Sequence, residues 1–581
     1  MTVTSEGRQF DRLATMWLGD IEIFRTSTAE PKPDPGISWN YMKDMTAYHS
    51  LWTEEQTVIF DLGNLLNEKY TGSFNVTISA HFYNLTLHGP HPDPADKIIP
   101  ISAMKGKENK SSAFSFPQDH PAIKITTPRN VNTAILTIAA TAQGEEEFWW
   151  SNVPQDVADH FNYSDNNVLP GFSSFREVRV RIDGEIAGLA WPFPVIFTGG
   201  ISPPLHRPMV GLQAFDLREY EIDITPWLGV LCDGRDHTVS LEVAAVNGTG
   251  TLKQALFVDA PSSWVLSGKI FMWLDDDEDN VTTGTKPKVS LNGNDYRADI
   301  KTGPSSDLFY KQAISRSYSV QAEIWSLNDR RPVEWTQSFS MNNDGFMKDF
   351  GYWHDVEASY SGQGSSTTGT SPGLSTAFSY PLRTTYGYKS PDPDSNASLA
   401  IHAELMQEME LTVMGHTPFA TGLEPFLGKM GTAHYVVGTH LKTFRQGSAQ
   451  FYQYGDKYST GFGHMSQDYT LRCADPISYG LPLSMQDPKK PWAVTLGPRL
   501  YERRVDIVNE TKVRDEEVVW DAPIKPRGTP QHGLSEKAPE FALLPMKVFG
   551  GTKIFRGDDG VQISEPDNGA SPTDSSTLET S

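Results

Sequence analysis

The chain has 581 residues and a formal net charge of −23, with an isoelectric point near 5.1. This length can bury several cores, so two to four domains are expected. The acidic excess argues against a nucleic-acid partner, because phosphate recognition needs a surplus of Lys and Arg. Stable membrane insertion is not expected either, since the apolar stretch at residues 187–202 is interrupted by Pro192 and Pro194.

The first informative segment is WLGDIEIFRTSTAEP, residues 17–31, which is predicted to be a strand. In an extended strand Asp20, Glu22 and Phe24 would share one face and Arg25 would lie on the other. Two carboxylates roughly 7 Å apart on a shielded face could divide the acid and base roles of a reaction. The alternative is a solvated face, on which alternating acids keep a sheet soluble.

A second segment, EEEFWWSNVP at residues 145–154, runs from acids directly into aromatic residues and an amide. Indole faces pack against the C–H faces of a sugar, while carboxylates and amides bind its hydroxyls. Glu147, Trp149, Trp150 and Asn152 are therefore candidate contacts to a carbohydrate.

Charged and proline-rich segments follow. In residues 176–183 the side chains of Glu177, Arg179, Arg181 and Asp183 alternate onto one face, which predicts either substrate contacts or a salt-bridged outer face. Prolines fix the conformation of residues 190–194 and 203–208. These two segments present Trp191 and Arg207 rigidly, as a binding loop or an ordinary packing corner would.

Short alternating strands separated by turn residues extend along the chain, which predicts an all-β protein. Residues 398–414 are the strongest helical candidate, although a strand fits them nearly as well, and residues 362–373 are predicted to be a surface loop. We predict a first β-sandwich at 1–165, a second at 166–285, a β-rich region at 286–520 and a tail at 521–581, disordered from about residue 558.

Three quoted segments carry a resemblance: WLGDIEIFRTSTAEP, EEFWWSNVP and residues 175–208, FREVRVRIDGEIAGLAWPFPVIFTGGISPPLHRP. Together they resemble the plant and fungal peptide-N-glycanase A family, the peptide-N4-(N-acetyl-beta-glucosaminyl)asparagine amidases. The similarity is dense over roughly residues 10–290 and thinner beyond.

The resemblance implies tandem jelly-roll-like antiparallel sandwiches and hydrolysis of the asparagine side-chain amide of N-glycopeptides or N-glycoproteins. It implies no metal and no cofactor, and a secreted, vacuolar or cell-wall location. The first residues do not have the pattern of a signal peptide, and the resemblance implies that relatives carry a leader and further strand-forming residues upstream, so the chain is expected to be truncated at its front. Asp20, Glu22 and Glu147 would be catalytic. Substrate would be bound by Arg25, Trp149, Trp150, Asn152, Glu177, Trp191 and Arg207.

One departure concerns the acid that directly precedes an arginine in the bacterial enzymes with this activity. Phe24 stands in that place before Arg25, so the catalytic carboxylate must come from elsewhere. Two other functions stay open: a glycan-binding protein without activity, and a glycosidase, which would use two carboxylates about 5–9.5 Å apart.

Eight sequons of the form Asn-x-Ser/Thr favour a secretory route. They begin at Asn75, Asn84, Asn109, Asn162, Asn247, Asn280, Asn396 and Asn509. Cys232 and Cys473 either pair or are both buried thiols.

Overall fold

A computed structural model describes residues 1–31, 34–68, 70–82, 94–161, 168–248, 257–293, 295–303, 307–326, 329–369, 371–415, 438–455, 458–474, 496–519 and 522–523. Within these ranges nearly all regular structure is strand, which confirms the all-β prediction. The helical pieces are the α-helical turn Leu228–Leu231 and short 3₁₀ turns at Thr46–Thr53, Gly106–Glu108, Gly144–Glu146, Trp149–Ser151, Gln155–Val157, Pro203–Leu205, Leu212–Ala214, Thr225–Trp227 and Asp349–Gly351. The predicted disordered tail and the sequons at Asn84 and Asn162 lie outside the described residues.

The described residues before 275 form sixteen strands. They are β1 Thr2–Glu6, β2 Leu13–Leu18, β3 Ile21–Ser27, β4 Ile37–Asn40, β5 Val58–Leu62, β6 Ser73–Thr77, β7 Lys97–Ile101, β8 Phe114–Phe116, β9 Ala122–Ile125, β10 Val131–Ala142, β11 Glu177–Ile182, β12 Glu185–Ala190, β13 Glu219–Asp223, β14 His237–Val246, β15 Phe257–Asp259 and β16 Trp264–Leu274.

These strands form four small antiparallel sheets that share one apolar core. Two sheets have three strands, in the orders β4-β1-β6 and β3-β2-β5. The third has the order β13-β10-β16-β7, with β8 also on β16, and the fourth has the order β12-β11-β14-β15, with β9 on β14. The layered packing agrees with a β-sandwich architecture.

The predicted boundary between the first two sandwiches, at residue 165, does not separate two sheets. Strand β10, before that residue, pairs with β13 and β16, which follow it. Strand β9 likewise pairs with β14. Strands from before and after the predicted boundary therefore belong to the same sheets. Local turn signals do not reveal such long-range pairing.

The rest of the described chain forms one large antiparallel sheet. Its strands are β17 Thr283–Gly284, β18 Lys288–Asn292, β19 Tyr296–Thr302, β20 Leu308–Ser326, β21 Asp329–Lys348, β22 Trp353–Thr368, β23 Ser371–Lys389, β24 Leu399–Met414, β25 Gly438–Tyr454, β26 Tyr458–Ala474, β27 Leu496–Val508, β28 Thr511–Val519 and β29 Ala522–Pro523. From β20 to β29 each strand pairs with the next along the chain. Residues 399–414 are therefore a strand, and most of the predicted loop at 362–373 belongs to β22 and β23.

Alternate residues of the large sheet are buried against the first half of the chain. Glutamines on this inner face bind the backbone of the smaller sheets and their loops. Gln337 Nε2 donates to the Leu189 carbonyl at 2.7 Å, and Gln407 Nε2 donates to the Pro194 carbonyl at 2.6 Å. The two halves of the described chain thus share one interior, and the loops at 190–213 are held between them.

Candidate active site

Asp20 lies in the turn between β2 and β3 and does not share a strand face with Glu22. Its Oδ1 accepts hydrogen bonds from the Gly106 amide and the Ser112 hydroxyl, both at 2.7 Å. The Ser102 hydroxyl donates to the Asp20 carbonyl at 2.9 Å. Asp20 therefore fastens the β2–β3 turn to the 102–112 loop.

A β-bulge reverses the predicted separation of Glu22 and Arg25. Met16 pairs with Phe24 and Trp17 pairs with Glu22, so Ile23 is an extra residue in β3. The extra residue changes the alternation and brings Glu22 and Arg25 to the same side. Arg25 Nε and Nη2 donate to the two Glu22 oxygens at 2.6 and 2.7 Å, and both side chains are 2% exposed.

The Glu22–Arg25 pair belongs to a larger buried network. Ser267 donates to Glu22 Oε2 at 2.5 Å, and Lys269 Nζ lies 2.7 Å from Glu219 Oε2. Burial alone would raise the pKa of Glu219, but the charges of Lys269 and Lys43 hold it below its ordinary value. These charged groups are hydrogen-bonded and enclosed, as a structural network between sheets requires.

The aromatic–acid segment also points inward. Trp149 and Trp150 are 2% and 0% exposed, and Trp149 packs edge-on against Tyr360 of the large sheet. Asn152 donates through Nδ2 to the Gly171 carbonyl at 3.0 Å. Glu147 is buried, at 5% exposure. The two indoles therefore offer no open face to a sugar, because the large sheet covers them.

Glu177 and Trp191 meet in the interior. Trp191 Nε1 donates to Glu177 Oε2 at 3.2 Å, and Arg316 of β20 donates to both Glu177 oxygens at 3.0 and 3.2 Å. The Trp191 ring stacks on Phe339 with centroids 5.1 Å apart. Of the face predicted from alternation, only Glu177 is buried against the large sheet; Arg179 and Arg181 are half-buried and lie 3.4 and 2.9 Å from Glu242 Oε1, as in a salt-bridged outer face, and Asp183 is exposed.

Arg207 lies in a different environment, where acids from three parts of the chain converge. Its Nη2 donates to Glu30 Oε2 at 2.6 Å, and its Nη1 lies 3.5 Å from Glu510 Oε1. A Cβ at Gly199 would collide with the Glu30 carboxylate and lie 3.3 Å from Asp11 Oδ1. With φ +87°, position 199 also has a backbone conformation that suits glycine. We call Asp11, Glu30, Arg207 and Glu510 the acid–arginine cluster.

The acids of this cluster set the charge state of its arginine. Burial alone would lower the pKa of Arg207, but Glu30 and Glu510 raise it above its ordinary value, so the guanidinium stays charged. Asp11, Glu30 and Glu510 are 6%, 2% and 5% exposed, so three carboxylates share this enclosed site with one guanidinium. A second arginine, the partly buried Arg8, lies near Arg207. A third, Arg12, directly follows Asp11 in the sequence.

Sequence reasoning included Arg207 but missed Asp11 and Glu30. Glu30 lies in the quoted TSTAEP motif directly before Pro31, and a following proline restricts the backbone of the residue before it. This restriction could have marked Glu30 as a candidate. Asp11 is followed directly by Arg12, so these two residues form the acid–arginine dipeptide that Phe24 and Arg25 do not form. The interest of both residues depends on contacts across the fold, which local patterns do not display.

Cys232 is a buried free thiol, and burial raises its pKa to about 11. Among the described residues, no group of three or more His, Cys, Asp or Glu side chains is placed to hold a metal ion. In the same part of the chain, no helix has the length and apolar character needed to cross a membrane.

Comparison with known proteins relates the chain to a family of amidases. The model of the family described as peptide N-acetyl-beta-D-glucosaminyl asparaginase amidase A matches residues 1–290. The C-terminal domain defined for the same family matches residues 309–382. With these two matches in consecutive order, the chain belongs to the peptide-N-glycanase A family.

A curated relative extends the comparison. The peptide-N4-(N-acetyl-beta-glucosaminyl)asparagine amidase A of Prunus dulcis is 36% identical to this chain over 300 residues. The alignment covers 49% of this chain and 49% of the almond protein, so the chain spans about half the length of the curated relative it matches.

Proposed function

We propose that the protein is an amidase that hydrolyses the asparagine side-chain amide of N-glycopeptides or N-glycoproteins. The family match over residues 1–290 is the observation that carries this proposal. The reaction would release the intact glycan as a glycosylamine and leave aspartate in the peptide.

The acid–arginine cluster supplies the groups that such a reaction needs. A carboxylate accepts a proton from water as its oxygen bonds to the amide carbon. A positive group stabilises the oxyanion, and an acid gives a proton to the departing nitrogen as the C–N bond breaks. We assign the acid and base roles to Asp11 and Glu30 and oxyanion stabilisation or substrate orientation to Arg207.

This assignment replaces Asp20 and Glu22 as the preferred catalytic pair. Asp20 is hydrogen-bonded within a turn, and Glu22 is paired with Arg25 and a hydroxyl, whereas Glu30 shares Arg207 with a second carboxylate, that of Glu510. Glu147 is buried beside the aromatic segment and is the third carboxylate to be tested.

The masses of the products test the reaction. After incubation with a denatured N-glycopeptide near pH 5, the peptide should carry Asp in place of the glycosylated Asn and no sugar. A peptide that keeps one N-acetylglucosamine would identify a glycosidase, and an unchanged glycopeptide that stays bound would identify a glycan-binding protein. Either result would overturn the proposal.

We also propose that the protein follows a secretory route. Its support is the number of sequons and the exposure of several of them, at Asn75, Asn109, Asn396 and Asn509. Expression with a cleavable leader in a secreting cell tests this route, since a protein retained unfolded in the cell despite the leader would contradict it.

A further inference from the structure

The outer face of the large sheet carries a line of side chains that crosses six consecutive strands. Register partners on β21 to β26 are Lys348, Trp353, Gly387, His402, Gln450 and Phe462. Partners on adjacent antiparallel strands lie side by side on the same face, so this line runs across the strands for about 24 Å. We call these six residues the outer-face row.

Gly387 leaves room for the Trp353 indole in the row. A Cβ at this position would collide with the Trp353 indole, so the ring lies directly over the glycine backbone. Beyond the glycine, the indole stacks on His402 with centroids 5.8 Å apart and planes 9° apart. Lys348 Nζ lies 4.7 Å from the indole centroid. The Lys348 ammonium and the His402 imidazole thus lie against the indole, and the exposed rings of this surface are those of Phe462 and Phe309, at 49% and 43% exposure.

A groove lies at the far end of the row. It has a volume of about 310 Å³ and is lined by His402, Gln450, Phe462, His464 and Asn509, among others. The Phe462 ring is 49% exposed, and Tyr452 donates to Gln450 Oε1 at 2.9 Å beside it. An exposed ring flanked by amide, imidazole and hydroxyl groups combines a stacking surface with hydrogen-bonding groups.

A second groove lies beside the start of the row and has a volume of about 330 Å³. Its wall includes the stacked rings of Phe309 and Phe346, whose centroids are 4.4 Å apart. Its charges are mixed, since Lys311 pairs with Asp344 and Lys301 lies 3.5 Å from Asp299. Both grooves have volumes within the range of small-ligand sites.

The composition of this surface favours one class of ligand over others. A polyanion is disfavoured, because acids accompany the cations around the Phe309 groove. The aromatic rings are separated by polar side chains and do not form the continuous apolar centre typical of a protein interface. Rings spaced between hydroxyl, amide and imidazole groups fit a chain of sugars, which offers C–H faces and hydroxyls in alternation.

We propose that the outer-face row and its two grooves bind a neutral glycan chain at a site separate from the acid–arginine cluster. The Asp11 and Glu30 carboxylates are buried on the other side of the sheet, so binding here involves no bond cleavage. The inference goes beyond the proposed amidase activity and holds or fails independently of it.

Titration of the full chain with a neutral N-glycan oligosaccharide, freed from peptide and reduced at its end, tests the proposal. Calorimetry gives the affinity, and the difference between the tryptophan emission of the wild type and that of Trp353→Ala isolates the Trp353 signal from the other tryptophans. Phe462→Ala should weaken binding about fivefold to tenfold, because it removes an exposed stacking surface. Trp353→Ala should weaken binding as well, because Lys348 and His402 lose the ring that positions them. Phe82→Ala is the matched control, since Phe82 is 72% exposed and lies outside the row.

Gly387→Leu provides a second perturbation that keeps every aromatic ring. Its side chain displaces the Trp353 indole, so affinity should fall and the emission spectrum should shift. If Trp353→Ala or Gly387→Leu disturbs folding, Phe462→Ala still tests the proposal, because Phe462 lies at the other end of the row. Wild-type affinity in Phe462→Ala, or no glycan binding by the wild type, would overturn the proposal. Binding of a deglycosylated denatured polypeptide in place of the glycan would also overturn it and identify a peptide surface. Product masses from the glycopeptide assay decide the amidase activity separately.

Discussion

Arg207 and Glu30 are 177 residues apart in the sequence, yet Arg207 Nη2 donates to Glu30 Oε2 at 2.6 Å. The contact joins the end of the β3 segment to the proline-rich loop that follows β12. It brings into one cluster two motifs that the sequence presents as unrelated, and it directs the search for catalytic carboxylates away from the β3 face.

Asp11→Asn and Glu30→Gln should each lower kcat by roughly 10² to 10⁴. The amides keep the shape of the side chains but cannot exchange the proton that the reaction requires. Initial rates on a short glycopeptide, measured well below the melting temperature of each variant, give the values. Glu146→Gln is the matched control because Glu146 is also buried and bound by an arginine, Arg176, at 2.5 and 2.6 Å. A rate in Asp11→Asn and Glu30→Gln equal to that of the control would remove the cluster from the mechanism.

Asp20→Asn should keep most of kcat, with at most a modest loss of thermal stability, since an amide oxygen can still accept the hydrogen bonds from Gly106 and Ser112. Thermal melts and initial rates on the same preparation decide the outcome. A rate loss of a hundredfold or more, at an unchanged melting temperature, would restore Asp20 to the catalytic role that its sequence motif suggested.

Glu22→Ala should lower the free energy of unfolding by about 3–5 kcal/mol, because it leaves the Arg25 guanidinium buried without its carboxylate. The double variant Glu22→Leu/Arg25→Met should be less destabilised, since it removes both charges and retains apolar volume. Urea unfolding measures both. Equal losses in the two variants would show that packing, and not the unpaired charge, sets the cost.

Acid should destabilise the fold through buried histidines. Burial lowers the pKa of His206 to about 3, that of His354 to about 3 and that of His440 to about 4. Unfolded histidine takes up a proton near pH 6.5, so between that pH and the folded pKa the unfolded state binds more protons. Stability is therefore full above pH 6.5 and falls as pH decreases, by up to about 1.4 kcal/mol per pH unit for each histidine. Urea unfolding at pH 7 and pH 5 should show the fall, and His354→Gln should reduce its slope.

The sequons should divide by exposure after passage through a secretory pathway. Asn75, Asn109 and Asn396 are exposed and should carry a glycan, or aspartate where a glycan has been removed. Asn280 is 5% exposed and donates to Asp275 Oδ2 at 2.5 Å, so it should stay an unmodified asparagine. Peptide mass spectrometry distinguishes the three states. A glycan at Asn280 would show that this turn is open when the chain is modified.

The strand content could be predicted from the sequence, because alternation is visible in short windows. Residues 399–414 show where such windows fail: Ile401, Leu405 and Met409 recur every four residues, and this spacing fits both a helix face and alternate positions of a strand. Pairing with β23 and β25 settles the conformation as strand. Tertiary contacts decided what local spacing could not.

The candidate site was predictable only in part. Arg207 could be selected because proline fixes its loop, but nothing in the β3 sequence announces the extra residue at Ile23 that brings Arg25 to Glu22. The burial of Trp149 and Trp191 likewise results from a sheet formed by residues far along the chain. Side chains that appear suited to sugars in isolation are interior because of that cover.

The turn between β27 and β28 links the two surfaces of the large sheet. Asn509 lines the outer groove, while its neighbour Glu510 is buried beside Arg207. A glycan attached at the Asn509 sequon would begin inside the groove and compete with any free glycan as an intramolecular ligand of high effective concentration. The same asparagine would be an acceptor for the host cell and a substrate for the proposed amidase. The groove would then hold the Asn509 glycan in molecules that no other copy has deglycosylated, and it would be free of that glycan in molecules that another copy has deglycosylated.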